Sequence, residues 1–240
     1  AKKLNLRNSI FIDHTANEVI ANEYARYLNN SIGIVTCNKI AAADELSNYK
    51  NLKKISRKYG SPFLFETNVG AGLPIIDTLN NLIASGDQII KIQAVLSGSL
   101  NFVFNNFKKG SSFHDVVLEA QKEGYTEPDP KIDLSGIDVA RKILILARES
   151  GLSIELDEIQ NESFLPQECL DTKNNEEFFE SLKKHSGHFD KLVEDADKNN
   201  AKLKYVAQLE GGKAKVGVQQ VKEGHDFYNL EGSDNIILFY

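Results

Sequence analysis

Two short apolar runs, Ser9 to Ile12 and Ile32 to Thr36, bracket a stretch in which Val19, Ile20, Tyr24 and Leu28 recur at helical spacing. This alternation constrains the fold more than any other feature, because strand, helix and strand in that order make a βαβ unit, and parallel strands joined this way need helices laid over the sheet. Residues 43 to 59 repeat the amphipathic helical pattern with many lysines, and Pro62 to Phe65 return to strand. Residues 1–66 therefore predict an α/β unit with a partial Rossmann-like parallel sheet. Ligands of such sheets bind beyond the carboxyl ends of the strands. Asp13-His14-Thr15 and Cys37-Asn38-Lys39 fall at those ends.

Past Glu66 the pattern changes. Gln88 to Leu96 alternates in part as a strand, helices are expected near 99–108, 112–123 and 134–150, and 176–200 is charged and helical. Leu203–Leu209 and Lys215–Val221 predict a hairpin around Gly211-Gly212, with a last strand from Asn235 to Phe239. Residues 67–240 are thus expected to form an α+β domain, a mixed sheet with helices on one face and the other face available to a second subunit.

The densest chemistry lies in Gly124-Tyr125-Thr126-Glu127-Pro128-Asp129-Pro130, followed by Asp133, Asp138 and Lys142. Pro128 and Pro130 fix φ and push Glu127 and Asp129 toward extended geometry, so the backbone sets the directions of the acids. Asp138 and Lys142 sit at i and i+4 of the helix that follows. Two readings stay open for them: an exposed helical ion pair worth roughly 0.3–0.5 kcal/mol, or a lysine oriented by its carboxylate to protonate a substrate oxygen. Ser97-Gly98-Ser99 follows a strand and caps the next helix, whose free amides also attract a carboxylate. Gly70-Ala71-Gly72 resembles a dinucleotide fingerprint only superficially, since Ile75 occupies the place of the third glycine. A tight turn and a weakly held hard cation beside Glu66 are equally compatible with it.

Composition narrows the classes. The 240 residues are 41% hydrophobic with a net charge of −6, enough for a sizeable core and without a basic stripe for nucleic acid. Cys37 and Cys169 stand far apart with no metal-ligand spacing to any histidine, and His185 and His188 read as surface residues of a charged helix. No signal peptide or bilayer-length apolar run is visible, which makes a reducing cytoplasm the expected compartment and a membrane an unexpected partner. The chain contains no methionine, so residue 1 is not read as a translation start and the sequence is expected to be an internal piece of a longer protein.

Five separated blocks then give the sequence a resemblance to homoserine dehydrogenase: TCNK at 36–39, ETNVGAGLP at 66–74, LSGSLNF at 96–102, GYTEPDP at 124–130 and DLSGIDVARK at 133–142. The resemblance runs along nearly the whole chain and looks closest to the dehydrogenase half of bifunctional aspartate kinase/homoserine dehydrogenases. It implies NADPH- or NADH-dependent reduction of L-aspartate-4-semialdehyde to L-homoserine in threonine and methionine biosynthesis, a homodimer, and a fused aspartate kinase as a compatible neighbour. Residues 1–66 then correspond to an incomplete dinucleotide-binding domain and 67–240 to the catalytic and dimerisation domain.

By the same resemblance Lys142 is the catalytic lysine and Asp138 its carboxylate partner. Glu127 and Asp133 take the substrate ammonium directly or through water, with Tyr125, Gly98 and Ser99 completing the pocket. Lys39 serves cofactor and substrate, Thr15 and Asn38 lie near the nicotinamide, and either Lys142 or Lys39 gives the proton. Glu66, with the backbone carbonyls of Val69, Ala71 and Leu73, holds a monovalent cation such as sodium. Cys37 stands where the family usually has proline, Ala16 where a hydroxyl residue is common, and the family's two Gly-rich segments, amino- and carboxy-terminal, have no counterpart here. A non-catalytic dimerisation and substrate-binding module of the same enzyme is the rival expectation, and an amino-acid-binding regulatory domain a third.

Overall fold

The computed structural model describes residues 8–240, so residues 1–7 of the expected first domain lie outside the described residues. Two compact units emerge, one of residues up to 89 together with 141–158, the other of 90–140 and 159–240. This partition differs from a single division after residue 66. One helix runs from the second unit into the first.

In the first unit β1 (Ile10–Asp13), β2 (Gly33–Thr36) and β3 (Phe63–Leu64) form a parallel three-stranded sheet in that order, as the βαβ pattern predicts. Helices α1 (Glu18–Ala21), α2 (Tyr24–Leu28), α3 (Ile40–Ala43) and α4 (Leu46–Tyr59) make the crossovers, and α5 (Ile75–Ala84) follows the sheet. The expected helix over 43–59 begins instead at Leu46, because Asp44 is extended at ψ −175°. Tyr49, Leu52 and Ile55 form the buried stripe of α4, and Gly60 at φ +60° ends it in a left-handed cap. One face of the sheet is covered: Phe63 pairs with Ile34, and both are buried. On the other face Ile12, Val35 and Leu64 pair across the three strands at 56%, 37% and 55% exposure.

The second unit contains β4 (Lys91–Val95), α6 (Gly98–Asn106), α7 (Phe113–Lys122) and α8 (Pro130–Leu134). Next comes α9 (Ile137–Glu149), the shared helix, whose last turns belong to the first unit. Arg148 there has no exposed side-chain surface and donates to the carbonyls of Ala42 (3.0 Å) and Asp44 (2.6 Å) and to the Glu155 carboxylate (2.8 Å). The second unit continues with β5 (Gln160–Glu162), α10 (Gln167–Leu170), α11 (Asn175–Lys184), α12 (Ser186–Lys198), β6 (Ala201–Glu210), β7 (Lys213–Lys222) and β8 (Ile236–Phe239). Its five-stranded sheet has the order β5-β7-β6-β4-β8 and is antiparallel except for β5 beside β7. The hairpin turns at Gly211-Gly212, both at positive φ. Phe227, wholly buried, packs a return segment onto Val95, Val206 and Val221.

The helix expected over 134–150 is α9, which starts at Ile137, and a separate short helix, α8, precedes it. Pro130 opens α8 at its first position with Asp129 as cap, where the missing N–H of proline is harmless. The break at Ser135-Gly136 has a tertiary cause. Gly136 adopts φ +74°, and a Cβ there would lie 1.9 Å from the Tyr205 hydroxyl. Asn161 reinforces the joint, donating to the Ser135 carbonyl (2.9 Å) and accepting from the Tyr205 hydroxyl (3.1 Å). Gly136→Ala is expected to lower stability by about 3 kcal/mol or more, from backbone strain plus an overlap the buried tyrosine cannot relieve. Urea unfolding measures it, and a variant as stable as the parent would show that the joint is not closed by this contact.

Candidate active site

In the second unit the acidic loop is fixed from three sides. Gly124 at φ +77° turns the chain out of α7, and the Tyr125 ring stacks on Phe102 of α6 with centroids 4.0 Å apart. The Pro128 carbonyl accepts from the amides of Gln121 (2.9 Å) and Asn175 (2.7 Å). Asp129 accepts from the Lys131 amide through one carboxylate oxygen and so caps α8.

Asp133 ties the loop to α6. One carboxylate oxygen accepts the Ser99 hydroxyl (2.9 Å), the other the backbone amide of Glu127 (2.8 Å). Ser97 caps α6 by accepting from the Leu100 amide (3.2 Å), so Gly98 and Ser99 hold the first amides of the helix, which have no partner within it. A carboxylate placed there meets the positive end of the helix dipole, while Glu127, exposed, offers a negative charge for an ammonium. The structure thus brings Tyr125, Glu127, Asp133, Gly98 and Ser99 into one neighbourhood, a layout suited to a zwitterion. Asp138 lies in the first turn of α9 and Lys142 one turn further along, both half-buried. The Gly136 joint sets where that helix begins.

In the first unit the hub is Asp13, at the carboxyl end of β1. Its carboxylate accepts from the Thr15 amide (2.8 Å) and hydroxyl (2.7 Å), from the Tyr24 hydroxyl (2.5 Å) and from the Asn38 side-chain amide (3.1 Å). Asn38, itself buried, also donates to the Asn17 carbonyl (3.0 Å), and its backbone amide donates to the Thr36 hydroxyl (2.8 Å). The loops after β1 and β2 are therefore braced together at the strand ends where a nicotinamide is expected. Thr15 remains exposed and Lys39 half-buried just before α3. Asn38 acts chiefly as the brace. Short polar loops at parallel strand ends fit the nicotinamide end of a dinucleotide.

Burial pushes the Asp13 carboxyl upward, but the bonds from Tyr24, Thr15 and Asn38 together outweigh it and hold the group below its usual value. A carboxyl depressed in the folded state stabilises the fold above its unfolded value, and that contribution is lost as pH falls through the folded one. Melting temperature followed from pH 7 down to about pH 3 should fall more steeply below about pH 4 for the parent than for Asp13→Asn. Parallel profiles would contradict the hub.

Glu66 has a structural task of its own: its two oxygens accept the amides of Ile76 (2.7 Å) and Asp77 (2.9 Å) and so cap α5. Gly70 and Ala71 are both left-handed, at φ +76° and +53°, Val69 is buried, and Leu73 is 41% exposed with its carbonyl accepting from Ile75 (2.9 Å). Carboxylate and carbonyl oxygens each retain a further lone pair, so the donor chemistry fits a weakly bound hard cation. Among the described residues no group of three or more His, Cys, Asp or Glu is placed to hold a metal.

Fold and motifs together define a two-part chain, α/β in one unit and α+β in the other. The family model for homoserine dehydrogenase matches residues 74–240. A bifunctional aspartokinase/homoserine dehydrogenase 2, chloroplastic, from Arabidopsis thaliana is 42% identical over 97% of this chain, which spans 26% of that relative. Among solved structures, a protein of unknown function from Candida auris superposes with a TM-score of 0.93 at 37% identity, covering 98% of this chain and 68% of that one. A mutant hyperthermophilic archaeal homoserine dehydrogenase solved in complex with NADPH gives a TM-score of 0.73 at 26% identity, covering 96% of this chain and 61% of that one. The chain belongs to the homoserine dehydrogenase family. It spans about a quarter of the length of the bifunctional relatives it matches.

Proposed function

We propose that the protein carrying this chain reduces L-aspartate-4-semialdehyde to L-homoserine with NADPH or NADH. The observation that supports this most directly is the bonded set Ser99, Asp133 and Glu127 at the amino end of α6. The α6 amides of Gly98 and Ser99 bind the substrate carboxylate. Glu127 and Asp133 bind its ammonium, directly or through water, and the stacked Tyr125 closes the apolar side. When bound, the nicotinamide supplies the hydride to the aldehyde carbon. Thr15 and Lys39 hold its ring, braced by Asn38, and Glu66 with the carbonyls of Val69, Ala71 and Leu73 holds a monovalent cation such as sodium.

Lys142 gives the proton that the aldehyde oxygen takes as it becomes an alkoxide, and Asp138 one turn earlier orients the lysine. Lys39 is the second amine able to give that proton. A positioned acid contributes about 10²- to 10⁴-fold, so Lys142→Ala in the full-length protein should lower kcat by that order while melting within a degree or two of the parent. Near-normal turnover would remove Lys142 from this role.

A second reading is favoured by the bonded set Ser99, Glu127 and Asp133 lying wholly within the second unit: that part acts as a substrate-binding and dimerisation module, pairing copies through its sheet. NADPH fluorescence titrated against the isolated chain separates the two. No binding supports the module reading, and saturable binding contradicts it. The Arabidopsis relative suggests a fused aspartokinase as the covalent neighbour. No helix of the described residues is long and apolar enough to cross a membrane, and both cysteines are free, which suits a reducing compartment such as the cytoplasm.

A further inference from the structure

Lys204 has no exposed surface, yet no carboxylate pairs with it among the described residues. Its ammonium donates to the amide oxygens of Asn101 (3.1 Å) and Asn105 (2.6 Å) on α6 and to the backbone carbonyl of Leu230. Three donors thus meet three neutral acceptors. Each asparagine turns its oxygen to the lysine and its nitrogen outward, Asn101 to the carbonyls of Asp234 (3.1 Å) and Glu231 (3.4 Å), Asn105 to that of Gly232 (3.0 Å). The cation therefore dictates the amide orientation, since a reversed amide would aim its hydrogens at an ammonium. Together these bonds strap residues 230–234 across α6.

The strap reaches the helix end used by the proposed substrate. A Cβ built on Gly98 would lie 3.0 Å from the Ser233 carbonyl oxygen, so the strap runs against the first residue of α6. We infer that Lys204 is a positioning residue for substrate binding: through Asn101, Asn105 and Leu230 it holds the 230–234 strap over the amino end of α6 and so fixes the wall beside the amides that take the substrate carboxylate. The inference rests on the reading given under Proposed function.

Energetics favour a purpose beyond packing. Burying an ammonium among neutral acceptors carries a large desolvation penalty, and an apolar side chain of similar length stabilises such a site as well or better. Burial lowers the Lys204 pKa to about 8, with nearby Lys202 adding to the fall and Glu231 opposing it. A cation kept against that penalty, bonded only to the strap and to one helix, organises those two pieces.

The test uses the full-length protein with Lys204→Met, Lys204→Arg and Asn105→Ala. Lys204→Met leaves the strap acceptors unmet and should raise KM for aspartate-4-semialdehyde about tenfold or more, with KM for NADPH unchanged. Lys204→Arg, which keeps the charge, should recover most of the loss. Asn105→Ala removes one arm of the clamp and should shift the same constant in the same direction by a smaller factor, which keeps the inference testable if Lys204→Met fails to fold. An unchanged substrate KM in Asn105→Ala and in a folded Lys204→Met overturns the inference, as does a parallel rise in both KM values. A parent enzyme without homoserine dehydrogenase turnover instead removes the underlying reading, and the inference with it.

Discussion

The Asp133 carboxylate is the contact on which the layout of the second unit's candidate site depends. It accepts from Ser99 at the start of α6 and from the Glu127 amide in the acidic loop, joining two segments that are far apart along the chain. A charged acceptor bonded by a hydroxyl and an amide is worth more than a neutral pair and is directional on both sides. The bond to Glu127 uses its backbone, which leaves that side chain available to a ligand. Without this bridge the loop would still be held at Pro128 and Tyr125, but its acids would have no fixed relation to the helix end.

Much of the fold was legible in the sequence, for physical reasons that differ by element. Period-two alternation interrupted by Gly211-Gly212 marks a hairpin because only glycine takes two successive left-handed residues readily, and the observed strands extend the expected ones at both ends. The βαβ alternation gave the parallel sheet for a similar reason. β5 was not legible: Gln160, Asn161 and Glu162 are all polar and exposed, so an edge strand there leaves no hydrophobic period. Nor was the break between α8 and α9, because the residue that requires Gly136 is Tyr205, remote in the chain and invisible to local pattern.

The same division holds for the candidate site. Gly98, Ser99, Tyr125, Glu127 and Asp133 were legible as one group because the motifs that carry the family resemblance place them on one loop and one helix start, which the Asp133 bonds join. Asp129 looked equivalent to them, and only its hydrogen bond to the Lys131 amide shows it to be a cap. Lys204 was missed since a lysine in an alternating strand reads as solvent-facing, and Asp13 since a single acid at a strand end carries no signal until Thr15, Tyr24 and Asn38 are seen to converge on it. His188 is exposed, as the sequence suggests, and its Nε2 also lies 2.8 Å from the Phe164 carbonyl.

The uncovered side of the parallel sheet has a thermodynamic consequence. Ile12, Val35 and Leu64 lie in register across three strands and form a contiguous aliphatic surface that no other described residue covers. Parallel sheets are ordinarily dry on both sides. Any polypeptide or ligand that shields these residues binds the folded form in preference to the unfolded one, so the first unit's resistance to unfolding becomes a function of occupancy rather than a constant of the chain.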